Sequence, residues 1–158
     1  TKSSKLNISK LENTKKIADI FAKNIFKGNV ILFYGEIGVG KTTFIKSLVN
    51  SLEKIDKKNI SEITSPTFSL MNQYKLNKFD IHHYDLYRLK SEKDILSLNI
   101  FEDISDKIVL IEWPEILGEH KPRNTIDINF EYGENFNSRY LTISAYEKLK
   151  IFDEFKSL

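Results

Sequence analysis

The stretch that most constrains this chain is Gly35-Glu36-Ile37-Gly38-Val39-Gly40-Lys41-Thr42, which fits G-x-x-x-x-G-K-[ST], a phosphate-binding P-loop. Its surroundings fit as well. Val30-Ile31-Leu32-Phe33-Tyr34 before it is an apolar run of buried-strand length. After it, Phe44, Ile45, Leu48, Val49 and Leu52 recur at helical spacing. Strand, glycine loop and helix follow in the order the motif requires. Glycine at 35, 38 and 40 permits backbone angles closed to other residues and lets the chain approach a ligand. The loop amides and the start of the helix then favour an anion. Lys41 supplies charge for β- and γ-phosphates, and the Thr42 hydroxyl suits Mg²⁺. The stretch predicts binding of a nucleoside triphosphate.

A length of 158 residues suffices for one domain with a real core, and the single-domain reading takes in residues 1–158. An apolar fraction of 41% and a charged fraction of 29% are those of an ordinary globular chain. A net charge of +2 is too small to announce a nucleic-acid binder, and the pairs Lys15-Lys16 and Lys57-Lys58 read as solvated surface. With no cysteine there are neither disulfides nor thiolate metal sites, which agrees with a cytoplasmic location. No apolar run approaches a membrane span, and Thr1-Lys2-Ser3-Ser4-Lys5 does not resemble a signal peptide.

Residues 1–12 are polar and read as loosely held, with a short strand at Leu6-Asn7-Ile8. A helix is expected from Asn13 as N-cap, with Ile17, Ile20, Phe21, Ile25 and Phe26 as its apolar stripe and Gly28 ending it. The P-loop helix runs to about Leu52, and residues 53–65 form a polar helix end and loop. Phe68 to Leu76 and Phe79 to Tyr87 are read as a hairpin of antiparallel strands. Residues 91–105 read as broadly helical. Ile108-Val109-Leu110-Ile111 reads as a central parallel strand, closed by Glu112 and stopped by Pro114. Gly118 to Asn124 is a loop, residues 126–132 and 141–145 alternate as two half-exposed strands, and a helix is expected over about 146–156. The fold class is α/β: a P-loop sheet, mainly parallel with antiparallel strands, and helices on both faces.

Three stretches can complete the chemistry of a phosphate site. Glu112 ends a buried strand, at the edge where open α/β sheets bind ligands. In His83-Tyr84-Asp85-Leu86-Tyr87-Arg88, strand periodicity puts His83, Asp85 and Tyr87 on one face with Phe79 and Ile81. Asp85 either binds Mg²⁺ through water or orients a nucleophile, and His83 hydrogen-bonds either group. Arg88 either offsets phosphate charge or pairs with Asp85; His82 reads as a surface histidine. Ser65-Pro66-Thr67 is either a switch segment sensing the γ-phosphate or an ordinary proline turn.

Taken together, Gly35–Thr43, Ser65-Pro66-Thr67-Phe68-Ser69-Leu70, His83-Tyr84-Asp85-Leu86-Tyr87-Arg88-Leu89 and Ile111-Glu112-Trp113-Pro114-Glu115 resemble the signature blocks of the TsaE (YjeE) ATPases. These are small P-loop proteins of the bacterial machinery that makes N6-threonylcarbamoyladenosine in tRNA. The resemblance implies ATP and Mg²⁺ as cofactors. It implies Gly35, Glu36, Ile37, Gly38, Val39, Gly40, Lys41, Thr42 and Thr43 around the phosphates and Glu112 as the Walker-B-like acid. It further implies Ser65 and Thr67 as the switch, Asp85 near metal and γ-phosphate, Trp113 beside the site and Thr14 near the base. Thr42, Glu112 and Asp85 are the implied metal residues, and Lys41, Asp85 and Glu112 the catalytic set. The family commonly has Asp and Leu where this chain has Glu36 and Ile37. The implied partners are TsaD and TsaB, with an indirect link to tRNA. The rival reading is a small-molecule kinase with Asp85 as base. Against it stands arginine at 88, 123 and 139 only, without an Arg-rich lid. ATP rather than GTP is what the resemblance implies.

Overall fold

The computed structural model describes residues 1–147 and 149–158. In chain order the elements are β1 (Leu6–Asn7), α1 (Leu11–Asn24), β2 (Val30–Tyr34), α2 (Lys41–Ile55), β3 (Met71–Lys75), β4 (Asp80–Asp85), α3 (Glu92–Ser97), β5 (Lys107–Glu112), β6 (Thr125–Tyr132), β7 (Arg139–Ala145) and α4 (Ile151–Phe155). Short 3-10 turns lie at Ile104–Asp106 and Pro114–His120. The strands form one sheet in the order β1-β7-β6-β2-β5-β4-β3. Its centre, β6-β2-β5-β4, is parallel. Both flanks are antiparallel: β3 pairs with β4, β7 with β6, and β1 with β7.

The apolar runs explain the centre. A strand covered on both faces needs no polar alternation, and Val30–Phe33 and Ile108–Ile111 are buried throughout. Ile31, Phe33, Leu110 and Ile128 face the cluster under α1, α2 and α4. Val30, Leu32, Val109 and Ile111 face the other cluster, with Ile95 of α3 and Leu117. Helices therefore cover both faces, as expected. Phe44 anchors the first cluster, its ring within 5.9–6.1 Å of those of Phe21, Phe33 and Phe130. Among the described residues no helix is long and apolar enough to cross a membrane.

Several boundaries differ from the sequence reading. The α1 helix starts at Leu11, without a side-chain cap, so Asn13 lies inside it. The turn into it is made at Asn7, whose Oδ1 accepts the Ser9 N–H at 2.9 Å. It also ends at Asn24 rather than at Gly28. Gly28, at φ 95°, shapes the following loop and donates its N–H to the Lys107 carbonyl. Phe26 is 66% exposed and outside the stripe. Residues 1–12 are not loosely held. Ser3 N–H donates to Ile143 O at 2.7 Å and Ile8 N–H to Arg139 O at 2.9 Å. Leu6 and Ile8 are buried, so this segment closes the β7 edge. α2 runs on to Ile55, and Glu53 is buried rather than solvated: its carboxylate accepts the Ser61 N–H and, at 2.6 Å, the Ser61 hydroxyl. Thr67–Ser69 form a turn, so the first hairpin strand begins only at Met71; the second ends at Asp85, leaving Tyr87 outside. Over residues 91–105 only Glu92–Ser97 is α-helix, with Ser91 accepting from the Asp94 N–H. The expected loop after Gly118 includes the end of a 3-10 turn broken at that glycine. The last helix is shorter than expected; of the region it was assigned, Lys148 lies outside the described residues.

Candidate functional site

Parallel register assembles the site. Phe33 of β2, Glu112 of β5 and Asp85 of β4 sit side by side in adjacent strands. The three strands end at one edge, and the chain leaving β2 there is the glycine loop. Glu112 and the loop thus meet where open α/β sheets bind ligands.

The loop is held by the core as much as by its glycines. Val39 is fully buried, while Glu36, Ile37 and Gly38 stand exposed at the tip. Gly35, at φ 145°, has no room for a side chain: a Cβ there would lie 2.9 Å from the Phe130 carbonyl oxygen. Gly40, at φ 114°, ends the loop in a left-handed turn from which α2 starts. Lys41 is buried and donates its Nζ hydrogen to the Gly35 carbonyl. The same Nζ lies 3.6 Å from the centre of the Trp113 ring. Trp113 reaches it because its own backbone turns left-handed at φ 56° directly after β5. Tyr87 also packs against Trp113, with ring centres 4.9 Å apart. Burial pushes the Lys41 ammonium below its usual range, and the opposing fields of Glu112, Glu115 and Asp85 do not fully compensate.

Two buried carboxylates lie beside Lys41. Glu112 Oε1 accepts the Thr42 hydroxyl at 3.2 Å. Glu112 Oε2 meets His83 Nε2 at 2.8 Å and the Ser65 hydroxyl at 3.0 Å. Asp85 Oδ2 lies 2.7 Å from the Ser65 hydroxyl and accepts that of Thr67 at 2.9 Å. Asp85 Oδ1 accepts the Tyr87 N–H at 3.0 Å. Ser65-Pro66-Thr67 therefore lies across both carboxylates. Its turn is closed by Leu70 N–H on Pro66 O at 2.7 Å.

This donor set suits a hard cation. Two carboxylates and three hydroxyls offer only oxygen, next to a loop shaped for phosphate, and Mg²⁺ takes one or two carboxylates and completes its shell with water and phosphate. Among the described residues no group of three or more His, Asp and Glu side chains could hold a metal ion unaided.

Of the residues singled out in the sequence, Lys41, Thr42, Ser65, Thr67, Asp85, Glu112 and Trp113 converge here. Thr14 lies on the far side of the loop and is buried. It lines a cavity of about 210 Å³ with Val39, Gly40, Thr43 and Arg139. Arg139 carries no motif, and only the fold brings it to the loop. Arg88 does not pair with Asp85; its guanidinium lies 5.0 Å from the centre of the Phe68 ring. His82 is half-buried rather than a surface side chain, and among the described residues its Nδ1 has no partner.

Residues 8–141 match the family model described as threonylcarbamoyl adenosine biosynthesis protein TsaE. The chain is 36% identical over 137 residues to the tRNA threonylcarbamoyladenosine biosynthesis protein TsaE of Rickettsia conorii, covering 87% of this chain and 75% of that one. It is 34% identical over 148 residues to the protein of the same name from Nostoc sp., covering 90% and 86%. The crystal structure of Bacillus subtilis YdiB shares the fold, with a TM-score of 0.73 at 24% identity over 99% of this chain and 95% of that one. A match over most of the chain, across a span that contains the blocks building this site, means that the chain belongs to the TsaE family.

Proposed function

We propose that this protein is an ATP-binding and ATP-hydrolysing accessory subunit in the cytoplasm. It serves the threonylcarbamoyl modification of adenosine 37 in tRNAs reading codons that start with A, and it works through a TsaD–TsaB complex. The observation that carries the reading is the meeting of Lys41, Thr42, Asp85 and Glu112 at one sheet edge, under the hydroxyls of Ser65 and Thr67. In this reading the loop from Gly35 to Thr43 wraps the phosphates and Lys41 leaves the Gly35 carbonyl for the β- and γ-phosphates. Thr14 lies towards the base and Trp113 beside the nucleotide. Thr42 and Glu112 hold Mg²⁺, with Asp85 reaching it through water. Bound Mg²⁺ neutralises charge on the phosphate oxygens. The carboxylates of Asp85 and Glu112 orient the attacking water, and Ser65 and Thr67 turn from the carboxylates towards the γ-phosphate.

Basal turnover is slow in this reading. Phosphoryl transfer needs positive charge at the γ-phosphate, which an arginine often supplies. Arg88, the arginine nearest in sequence, is stacked on Phe68 instead. A partner seated over the nucleotide supplies what is missing by excluding water and ordering the Ser65–Leu70 turn. Linkage then requires that whatever affinity ATP adds to partner binding, the partner adds to ATP binding. A titration of ATP affinity and turnover with purified TsaD and TsaB is the test: both are expected to rise. Fast turnover by the isolated chain, with neither quantity moved by the partners, rejects the accessory-subunit reading in favour of a kinase.

A further inference from the structure

His83 is fully buried in β4, opposite Leu110 of β5. Among the described residues it makes one polar contact, from Nε2 to Glu112 Oε2 at 2.8 Å, and its Nδ1 has no partner. A buried imidazole with a single polar contact costs more than an apolar side chain in the same space. The contact must therefore do something the packing does not. Glu112 also accepts from Thr42 and Ser65, but each of those hydroxyls has a competing use. Ser65 has one hydroxyl hydrogen within reach of two carboxylates, and at 2.7 Å Asp85 is the closer. Its segment is also the exposed turn. Thr42 sits at the start of the P-loop helix, where a cation or phosphate competes for its oxygen. That leaves His83, on a central parallel strand whose position no loop movement changes.

We propose that His83 is a positioning residue for Glu112: its Nε2–H pins Oε2, so that Oε1 stays aimed at Thr42 and the phosphate end of the loop whatever Ser65 does. The proposal rests on the ATPase reading given above. Glu112 as a carboxylate only accepts, so the shared hydrogen belongs to Nε2. Placing it there also leaves no buried N–H unpaired at Nδ1. Partners that orient a metal-binding carboxylate typically contribute about 10–100-fold in affinity or activity.

Two amides separate this role from simple packing. Glutamine puts its Nε2 the same number of bonds from the backbone as the imidazole Nε2, whereas asparagine places its nitrogen where Nδ1 stands. The nucleotide- and metal-free protein is tested first, by long-range ¹H–¹⁵N correlation of the imidazole. The hydrogen is expected on Nε2, and Glu112→Leu should abolish that preference; a hydrogen on Nδ1, or a spectrum unmoved by Glu112→Leu, overturns the proposal even if His83 variants fail to fold. In turnover assays His83→Leu and His83→Asn should lower kcat by about 10–100-fold with KM for ATP little changed, while His83→Gln recovers most of it. His83→Leu combined with Glu112→Gln should be no slower than Glu112→Gln alone. An unchanged kcat in His83→Leu, or rescue by Asn rather than Gln, also overturns it. A wild-type chain that neither binds nor hydrolyses ATP rejects the ATPase reading instead, and leaves the spectroscopic result standing.

Discussion

The two sides of the site are built differently. The frame comprises the glycine loop and the ends of β4 and β5, and it is continuous with the core: Val39, Lys41, His83, Asp85 and Glu112 are all buried. The cover, Ser65–Leu70, buries Pro66 but carries Phe68 at 85% exposure. Besides Pro66, it is held by two hydroxyls, the Leu70–Pro66 turn and the Asp85 N–H on the Leu70 carbonyl at 3.0 Å. Each backbone bond among these nets only about 0.5–1.5 kcal/mol and each hydroxyl–carboxylate bond about 1.5–3 kcal/mol, and each can be exchanged for one to phosphate or water. A frame made of packing cannot adjust without unfolding; a cover made of hydrogen bonds can. The difference assigns the chemistry to one side and its control to the other.

The strongest way to break the comparison is to attack the frame from behind. Phe44→Ala removes a fully buried ring that touches Phe21, Phe33 and Phe130. A loss of about 3–5 kcal/mol is expected in urea denaturation. A loss below that of any cover substitution would mean that the loop does not lean on the core. Next in size is Lys41→Ala, which empties the position between Gly35 and Trp113. Turnover should fall by about 10²–10³-fold, the scale of one lost charge-stabilising donor, with the fold intact by circular dichroism. Unchanged ATP binding and hydrolysis would remove Lys41 from the site.

The frame was legible in the sequence because it is local. A glycine motif between an apolar run and a helical stripe specifies loop, strand and helix together, and period two put His83 and Asp85 on one face. What was hidden depended on long-range register or competing contacts. Nothing local says that Glu112 and His83 become neighbours; the β4–β5 pairing does. Opposite charges three residues apart leave a pair between Asp85 and Arg88 open in the sequence, but β4 ends at Asp85 and the Arg88 guanidinium lies against Phe68 instead. Asn13 satisfied a capping preference, yet the Asx turn at Asn7 and the burial of Ile8 fix the start of α1 earlier. Apolar Phe26 matched the stripe, but the helix had ended at Asn24 and the spacing no longer applied.

A gentler probe sharpens the contrast. Thr67→Ala deletes one donor to Asp85 Oδ2 and leaves Ser65 on the same oxygen. Stability should drop by about 1.5–3 kcal/mol. Partner-stimulated turnover should fall proportionately more than basal turnover, because the cover acts when it is ordered. Equal losses in both would place Thr67 with the frame.

The smallest effect is electrostatic and concerns the one frame cation. Burial holds the Lys41 ammonium below the usual lysine range, outweighing Glu112, Glu115 and Asp85. The unfolded chain therefore keeps its Lys41 proton to higher pH than the folded one. Between the folded value and the unfolded value the unfolded state binds more protons, so this residue makes stability rise with pH across that alkaline window. Below the window both states are protonated, and the penalty of burying the charge is constant and complete. Tyr34, Tyr74 and Tyr84 act in the opposite sense: burial raises their folded values, and what they contribute is lost as pH climbs past the unfolded tyrosine range. A pH series on the wild type alone would mix the two signs. The informative quantity is the stability difference between wild type and Lys41→Met, in which the tyrosines cancel. Lys41→Met should be the more favoured of the two below the window, and its advantage should shrink as pH rises through it. A difference independent of pH would show that Lys41 keeps its proton equally well folded and unfolded, so that the frame solvates its cation as fully as water does.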